Sequence, residues 1–383
     1  MNRFMRTAAF AATMAFTVSG TAFAQGEPIK IGSFLAVTGQ GAFLGDPSKK
    51  VLEHFIEEKN AMGGVLGRQI ELVLYDSRTD AKEAVNFVRR LTTQDKVDVI
   101  IGGNTTGETM AVIPFVEQAG IPFVSLGGGS VIIDPVKPLV FKTVHTDRIS
   151  VQSILDHAKS LGQSKVAVLS GSGGFDQSCR TNLLDLVQDY GIEILADEQH
   201  GSGDTDMTAQ MTNIRRVAPD LMIYCGFGAP SSIVAKNHKQ LIADIPLYMT
   251  VGAASRDFIN GADGAAEGVF VTGSAVMVAE MLADDDPQAA VSQAFITSYR
   301  AAFGEEPSSF AGHAYDALLV VLDAIERAGS VDPEALRSAI EGTDGLAGIN
   351  GIYKMNATDH MGLGPQSLIL TKVENGRFIP VGR

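Results

Sequence analysis

Residues 60–102 read NAMGGVLGRQIELVLYDSRTDAKEAVNFVRRLTTQDKVDVIIG and hold, in one run, a helix end, a tight turn, a strand, a second helix and a second strand. Gly63, Gly64 and Gly67 fall where a helix must stop and the backbone reverse, because glycine reaches positive φ without a Cβ clash. The apolar run Ile70 to Tyr75 supplies a buried strand. Ala84, Phe87, Val88 and Leu91 recur at helical spacing, and Val97 to Ile101 is a β-branched run suited to a parallel sheet. The stretch is a βαβ unit.

The same rhythm extends in both directions. Strands are expected at Ile29 to Leu35, Ile70 to Tyr75, Val97 to Ile101 and Pro122 to Ser125, with helices between them. Val140 to Thr143 then leads into a helix near Val151 to Leu161. A second set follows at Lys165 to Leu169, Ile192 to Glu198, Leu221 to Cys225 and Ile245 to Thr250. Two successive sets of strand, helix, parallel strand imply an α/β protein of two doubly wound lobes. From Pro287 helices dominate, including Pro307 to Ala328 and Pro333 to Glu341, before a strand-rich tail from Gly351 to Val381. The chain has 383 residues, 45% of them hydrophobic, and 41 glycines, enough for two ordinary cores.

Asn60-Ala61-x-Gly63-Gly64-x-x-Gly67, followed by a strand ending in Asp76, resembles the leucine/isoleucine/valine-binding family of extracytoplasmic solute receptors that feed ABC importers. The resemblance spans essentially the whole chain after residue 24. It implies the type I periplasmic binding protein fold, with a three-strand hinge crossed near Thr143, Ser274 and Asn350. One lobe would hold residues 25–143 and 275–350, the other residues 144–274 and 351–383. No low-complexity linker marks the crossings.

Arg3 and Arg6 precede an apolar stretch from Ala8 to Val18, and Ala22-Phe23-Ala24 offers the small residues a signal peptidase reads. Residues 1–24 are therefore expected to be a cleavable signal for a Gram-negative periplasm. The apolar stretch is short for a bilayer span and ends in Ser19, Gly20 and Thr21. No cysteine stands at the cleavage point to carry a lipid. The formal charge of −14 argues against nucleic acid and anionic membrane surfaces as partners, since phosphate attraction needs Lys and Arg. It leaves room for a small anion held locally by a helix N-terminus. Cys179 and Cys225 are either bridged or separate buried thiols in this oxidising compartment. Neither has a Cys or His at zinc-ligand spacing, and no metal or cofactor is expected.

Ligands of open α/β sheets sit beyond the carboxyl ends of the strands. The loops there contain hydroxyls, bare backbone and a few aromatics, without an acid, base and nucleophile set. Thr105, Thr106 and Gly107 open a helix, so they either gather an anion or merely cap. The segment looks like the family's Gly-x-x-x-Ser/Thr loop for a ligand carboxylate, with Thr106 at the hydroxyl position. Gly127, Gly128, Gly129 and Ser130 correspond to the next ligand loop, where amino-acid members usually offer a Thr hydroxyl. Gly129 falls at that position, unless Ser130 substitutes by a one-residue shift.

Phe43 and Leu44 lie after the first strand, and Phe175 and Phe227 match loop positions that often carry Tyr. Each is either core or a pocket wall, and Phe in place of Tyr favours an apolar solute body. Tyr315 matches a recurrent cleft-edge tyrosine, or packs against the interlobe crossing. Amino-acid members commonly pair the ligand ammonium with a carboxylate after the strand at Ile245 to Thr250. Gly252, Ala253 and Ala254 stand there instead. Either Asp176 supplies the counter-charge or the ligand lacks an amino group, since an unpaired buried ammonium is costly. Arg148 and Arg256 are candidates for a second anionic group.

These readings favour a monomeric, non-enzymatic clamp that closes over a small carboxylate and is read by an ABC permease. A sensory ligand-binding module and a Rossmann-like enzyme are the alternatives. The latter is weakened by Asp176, which stands where the third glycine of Gly171-Ser172-Gly173-Gly174-Phe175-Asp176 would belong.

Overall fold

A computed structural model describes residues 26–283 and 285–382. The expected signal segment lies outside the described residues. The first lobe is built on a parallel sheet of β1 (Ile29–Leu35), β2 (Ile70–Asp76), β3 (Val99–Gly102), β4 (Phe123–Ser125) and β5 (Val140–Lys142), in the order β2-β1-β3-β4-β5. Helices α1 (Ala42–Ala61), α2 (Ala81–Arg90) and α3 (Thr106–Ala119) connect these strands.

The second lobe begins with α4 (Asp147–Ser160). It continues through β6 (Lys165–Ser170), α5 (Gly174–Tyr190), β7 (Glu193–Gln199), α6 (Thr208–Val217) and β8 (Leu221–Cys225). It is completed by α7 (Ala229–Leu241), β9 (Leu247–Met249), α8 (Arg256–Ala262) and β10 (Phe270–Gly273). The chain then forms α9 (Ala289–Phe303), α10 (Ser309–Ala328), α11 (Pro333–Glu341) and a hairpin of β11 (Asp344–Ala347) and β12 (Ile352–Lys354). It ends in β13 (Ile369–Glu374) and β14 (Arg377–Pro380), which extend the second sheet antiparallel, giving β14-β13-β10-β9-β8-β6-β7.

Asn60 shows why the opening motif has its spelling. Its Nδ2 donates to the Ile70 carbonyl at 2.8 Å and its Oδ1 accepts the Ile70 amide at 2.7 Å, so the end of α1 is fastened to the first residue of β2. The turn between them needs glycine: Gly64 has φ +75°, and a Cβ there would lie 1.9 Å from the Arg68 carbonyl oxygen. Val99, Ile100 and Ile101 are fully buried, as expected of a central parallel strand.

Two elements depart from the sequence reading. β10 sits at the heart of the second sheet, between β9 and β13, where no strand was expected. The strand-rich tail also divides its contacts. Tyr353, Met355, Met361 and Leu363 pack into the first lobe's core with α10, and Lys142 donates its amide to the His360 carbonyl. The chain joins the second sheet at β13, after residues 353–363 have packed against α10 and β5.

The crossings are tied to one another. Asp316 of α10, fully buried, accepts the Ile349 and Asn350 amides at 2.7 Å each. The Tyr353 hydroxyl lies 2.7 Å from its Oδ2 and 2.9 Å from the Thr143 carbonyl. Thr143 donates its hydroxyl to the His313 carbonyl, and Ser274 Oγ donates to Ser309 Oγ. Cys179 on α5 and Cys225 at the end of β8 are bridged, with Cα atoms 5.6 Å apart, which settles the two alternatives left by the sequence.

Candidate functional site

The loops at the carboxyl ends of both sheets face one another, and the lobes meet there. A cavity of about 40 Å³ lies between them. Thr105, Thr106, Leu44, Asn104, Leu126, Phe310 and His313 line it from the first lobe. Phe175, Phe227, Val251 and Gly252 line it from the second, with Gly128 and Val144 near the crossing. A larger hollow of about 210 Å³ elsewhere is rimmed by Arg256, Arg300 and Glu280. Arg300 there is already paired, to Glu306 at 2.6 Å and to Glu280 at 3.1 Å. The interlobe cavity is the candidate site because the strand ends converge on it.

Thr105 and Thr106 divide the two roles that the sequence left open. Thr105 caps α3: its Oγ1 accepts the Glu108 amide at 3.2 Å and donates to Glu108 Oε2 at 2.7 Å. The Thr106 hydroxyl accepts the Gly129 amide at 3.0 Å, and its own proton has no acceptor among the described residues. The first amides of α3 have no intrahelical acceptor either, as at any helix start. A hydroxyl proton and a helix N-terminus thus open onto the same small cavity.

Three phenylalanines, Phe175, Phe227 and Phe310, wall it, with Phe43 packed against two of them. The Phe175 and Phe227 rings meet edge to face at 6.1 Å, Phe43 lies 6.2 Å from Phe227, and Phe310 is 5.4 Å from Phe43 in a T-shaped contact. Phe43 and Leu44 stand on the first turn of α1 and not in a free loop. The glycines permit this approach. A Cβ on Gly128 would come within 2.8 Å of the Phe175 ring, and one on Gly252 within 2.3 Å of the Gly226 carbonyl oxygen.

Several expected residues lie elsewhere. A Cβ on Gly129 would meet the Thr106 side chain at 2.6 Å, so glycine is needed there to seat that threonine. Ser130 turns toward the second lobe, accepting Asn182 Nδ2 at 2.8 Å, while its amide donates to Asp147 Oδ1 at 3.0 Å. It does not fill the missing hydroxyl position. Gly127 stays behind the wall, its amide donating to Ser125 Oγ, and Ala253 is packed in the second lobe's core.

Asp176 is also outside the cavity wall. Its Oδ2 accepts the Gly173 amide at 2.9 Å, closing the start of α5, and burial lifts its carboxyl to about 6 against that amide and His200. Tyr315 packs edge-on against Phe55 and beside Phe295, far round α10 from the cavity. Arg148 binds Asn182 and Asp185 on the surface.

The sequence did not single out Phe310 and His313. They are three residues apart and share a helix face, whereas Tyr315 is two residues further and projects from the other side. Burial pulls the His313 imidazole down to about 3, helped by the charges of His145 and Lys142, so it is neutral at pH 7. Asn104, also overlooked, braces the loop: Oδ1 accepts the Ala36 amide at 2.9 Å and Nδ2 donates to Ser48 Oγ at 3.0 Å.

The sequence profile described as periplasmic binding protein matches residues 28–377. A leucine-, isoleucine-, valine-, threonine- and alanine-binding protein of Pseudomonas aeruginosa is 25% identical over 319 residues, covering 82% of each chain. An extracellular ligand-binding receptor from Rhodopseudomonas palustris HaA2 superposes with a TM-score of 0.86 at 26% identity, over 92% of this chain and 99% of that one. A leucine-binding protein from Thermotoga maritima gives 0.80 at 25%, over 92% and 98%. These relatives are solute-binding proteins, not enzymes, and the fold they share is the type I periplasmic binding protein fold. The chain belongs to the periplasmic binding protein family, among relatives named for binding leucine, isoleucine and valine.

Proposed function

We propose that the chain is the exported receptor of an ABC importer, closing its lobes over one small carboxylate with an apolar or aromatic body and presenting that closed form to a permease. The observation that carries this reading is the cavity itself. One spare hydroxyl proton and a helix N-terminus face three phenylalanine rings, and no carboxylate side chain is among the lining residues. An anion would find donors there. An ammonium would find neutral acceptors and ring faces but no counter-charge, although ring faces attract cations weakly.

A branched-chain amino acid is the second reading, favoured by the Pseudomonas aeruginosa relative's name. Leucine and 4-methyl-2-oxopentanoate share a carbon skeleton and differ in the ammonium group. Calorimetric titration of both, with benzoate alongside, is expected to rank the two acids without ammonium above leucine. Asp176→Asn is expected to leave that ranking unchanged, because Asp176 lies outside the cavity lining with its Oδ2 on the Gly173 amide. A tenfold preference for leucine that Asp176→Asn abolishes would overturn the ligand class and make Asp176 the counter-charge.

Thr106→Val keeps the side-chain shape and removes the hydroxyl. Carboxylate affinity is expected to fall roughly ten- to a hundredfold, the loss of a charge-assisted hydrogen bond of about 1.5–3 kcal/mol. Thr106→Ser should restore most of it. Equal affinities across wild type, Val and Ser variants would reduce Thr106 to a support for the Gly129 amide.

A further inference from the structure

Lys142, the last residue of β5, is fully buried, yet it makes no ion pair among the described residues. Its Nζ donates to the Gly129 carbonyl at 3.3 Å. The amide of that same Gly129 donates to the Thr106 hydroxyl on the cavity wall. One residue and two hydrogen bonds therefore separate the ammonium from the candidate anchor. A buried charge in a medium of low polarity acts over that span far more strongly than in water.

Three ionisable groups bear on Lys142. Asp147, at the start of α4, favours its charged form, but Asp147 Oδ1 is already occupied by the Ser130 and Arg148 amides and the Asn182 amide group. Asp147 Oδ2 is buried without a hydrogen-bond partner. His145, on the segment leaving β5, and His313, on α10, are both held neutral by burial, and both are pushed further by the charge of Lys142. His313 lines the cavity, so the field of Lys142 reaches the ligand space. The N-termini of α3 and α5 meet beside the cavity, where a Cβ on Gly174 would lie 3.2 Å from the Gly107 amide nitrogen, and each carries one carboxylate in its first turn, Glu108 and Asp176.

We propose that Lys142 is the specificity-determining charge of the cleft, favouring a net anion over a zwitterion from behind the Gly128–Ser130 loop. This deepens the proposed ligand class and rests on it for the position of the carboxylate. The ammonium of a zwitterion cancels much of the attraction that its carboxylate feels, so only the plain anion has the full benefit. Burial pulls the Lys142 amine down to about 7, so part of the population is neutral at pH 7.5. An anion nearby raises that value. Proton uptake on binding follows, and affinity is greatest below pH 7 and declines as pH rises through the free-state value.

The test measures 4-methyl-2-oxopentanoate and leucine on wild type, Lys142→Met and Lys142→Arg, by calorimetry at pH 7.5 in phosphate and in Tris. Lys142→Met should cost the oxo acid roughly tenfold or more, the scale of one unit charge a few ångström away at intermediate dielectric, and leucine much less. Lys142→Arg should restore the oxo acid without proton uptake, since guanidinium stays charged. The wild-type ranking tests the ligand class, whereas the change in the ratio on removing Lys142 tests this inference. If Lys142→Met does not fold, the buffer dependence of wild type against Lys142→Arg decides. An unchanged ratio, or equal apparent enthalpies in the two buffers after correction for dilution, overturns the proposal.

Discussion

Asp316→Ala is expected to lower the unfolding free energy by about 3–5 kcal/mol, the cost of breaking a buried, hydrogen-bonded charge site from one side. The carboxylate gathers the Ile349 and Asn350 amides and the Tyr353 hydroxyl at one point, where α10 meets two of the chain crossings. Alanine leaves both amides buried without an acceptor. Urea unfolding followed by circular dichroism should show a lower midpoint at an unchanged slope, with Asp316→Asn intermediate. A loss below 1 kcal/mol, on the order of an ordinary surface change, would show that the crossings hold without it. Burial lifts this carboxyl to about 6 from its ordinary 3.8, against the pull of its donors. The folded state therefore holds an extra proton between those values. Its contribution is present below the lower value and lost as pH rises through the upper one, so wild type should gain on Asp316→Asn as pH falls from 6 to 4.

The second large effect belongs to the disulfide. Cys179 and Cys225 close a loop of 46 residues that includes β7, α6 and β8. In the chain-entropy model that closure is worth roughly 4 kcal/mol. The double replacement Cys179→Ala, Cys225→Ala should therefore lower the unfolding midpoint by an amount comparable with Asp316→Ala, with ligand affinity retained if the second lobe still folds. Both sulfurs are fully buried, so a reductant should act on the native protein only after local opening. Rapid reduction under native conditions, or a variant as stable as wild type, would contradict this account.

The parallel strands were legible because continuous β-branched runs have few other uses, and the loops after them were legible because the sheet geometry fixes where they gather. β10 was not, since Phe270–Gly273 is four residues long beside a glycine and takes its pairing from β9 and β13. The tail misled for a related reason: residues 351–363 read as extended, but period alone does not say which lobe receives Tyr353 and Met355. At the site, Phe43, Leu44, Thr106, Phe175 and Phe227 were visible as loop or loop-edge residues. Phe310 and His313 were hidden inside a helix whose facing depends on its tertiary neighbours. Lys142 reads as an ordinary strand-end lysine, and only its complete burial marks it out.

The rings at the mouth of the cleft touch each other across the gap, two from each lobe. Such a clamp is self-adhesive. In the proposed hinge motion, opening would wet aromatic surface, so part of the free energy of closure would be stored in the jaws and available before any solute arrives. A solute that wedges the rings apart forfeits that contribution, while one that slides between them without separating the lobes keeps it. Solute thickness, and not apolar area alone, then sets how tightly the jaws hold.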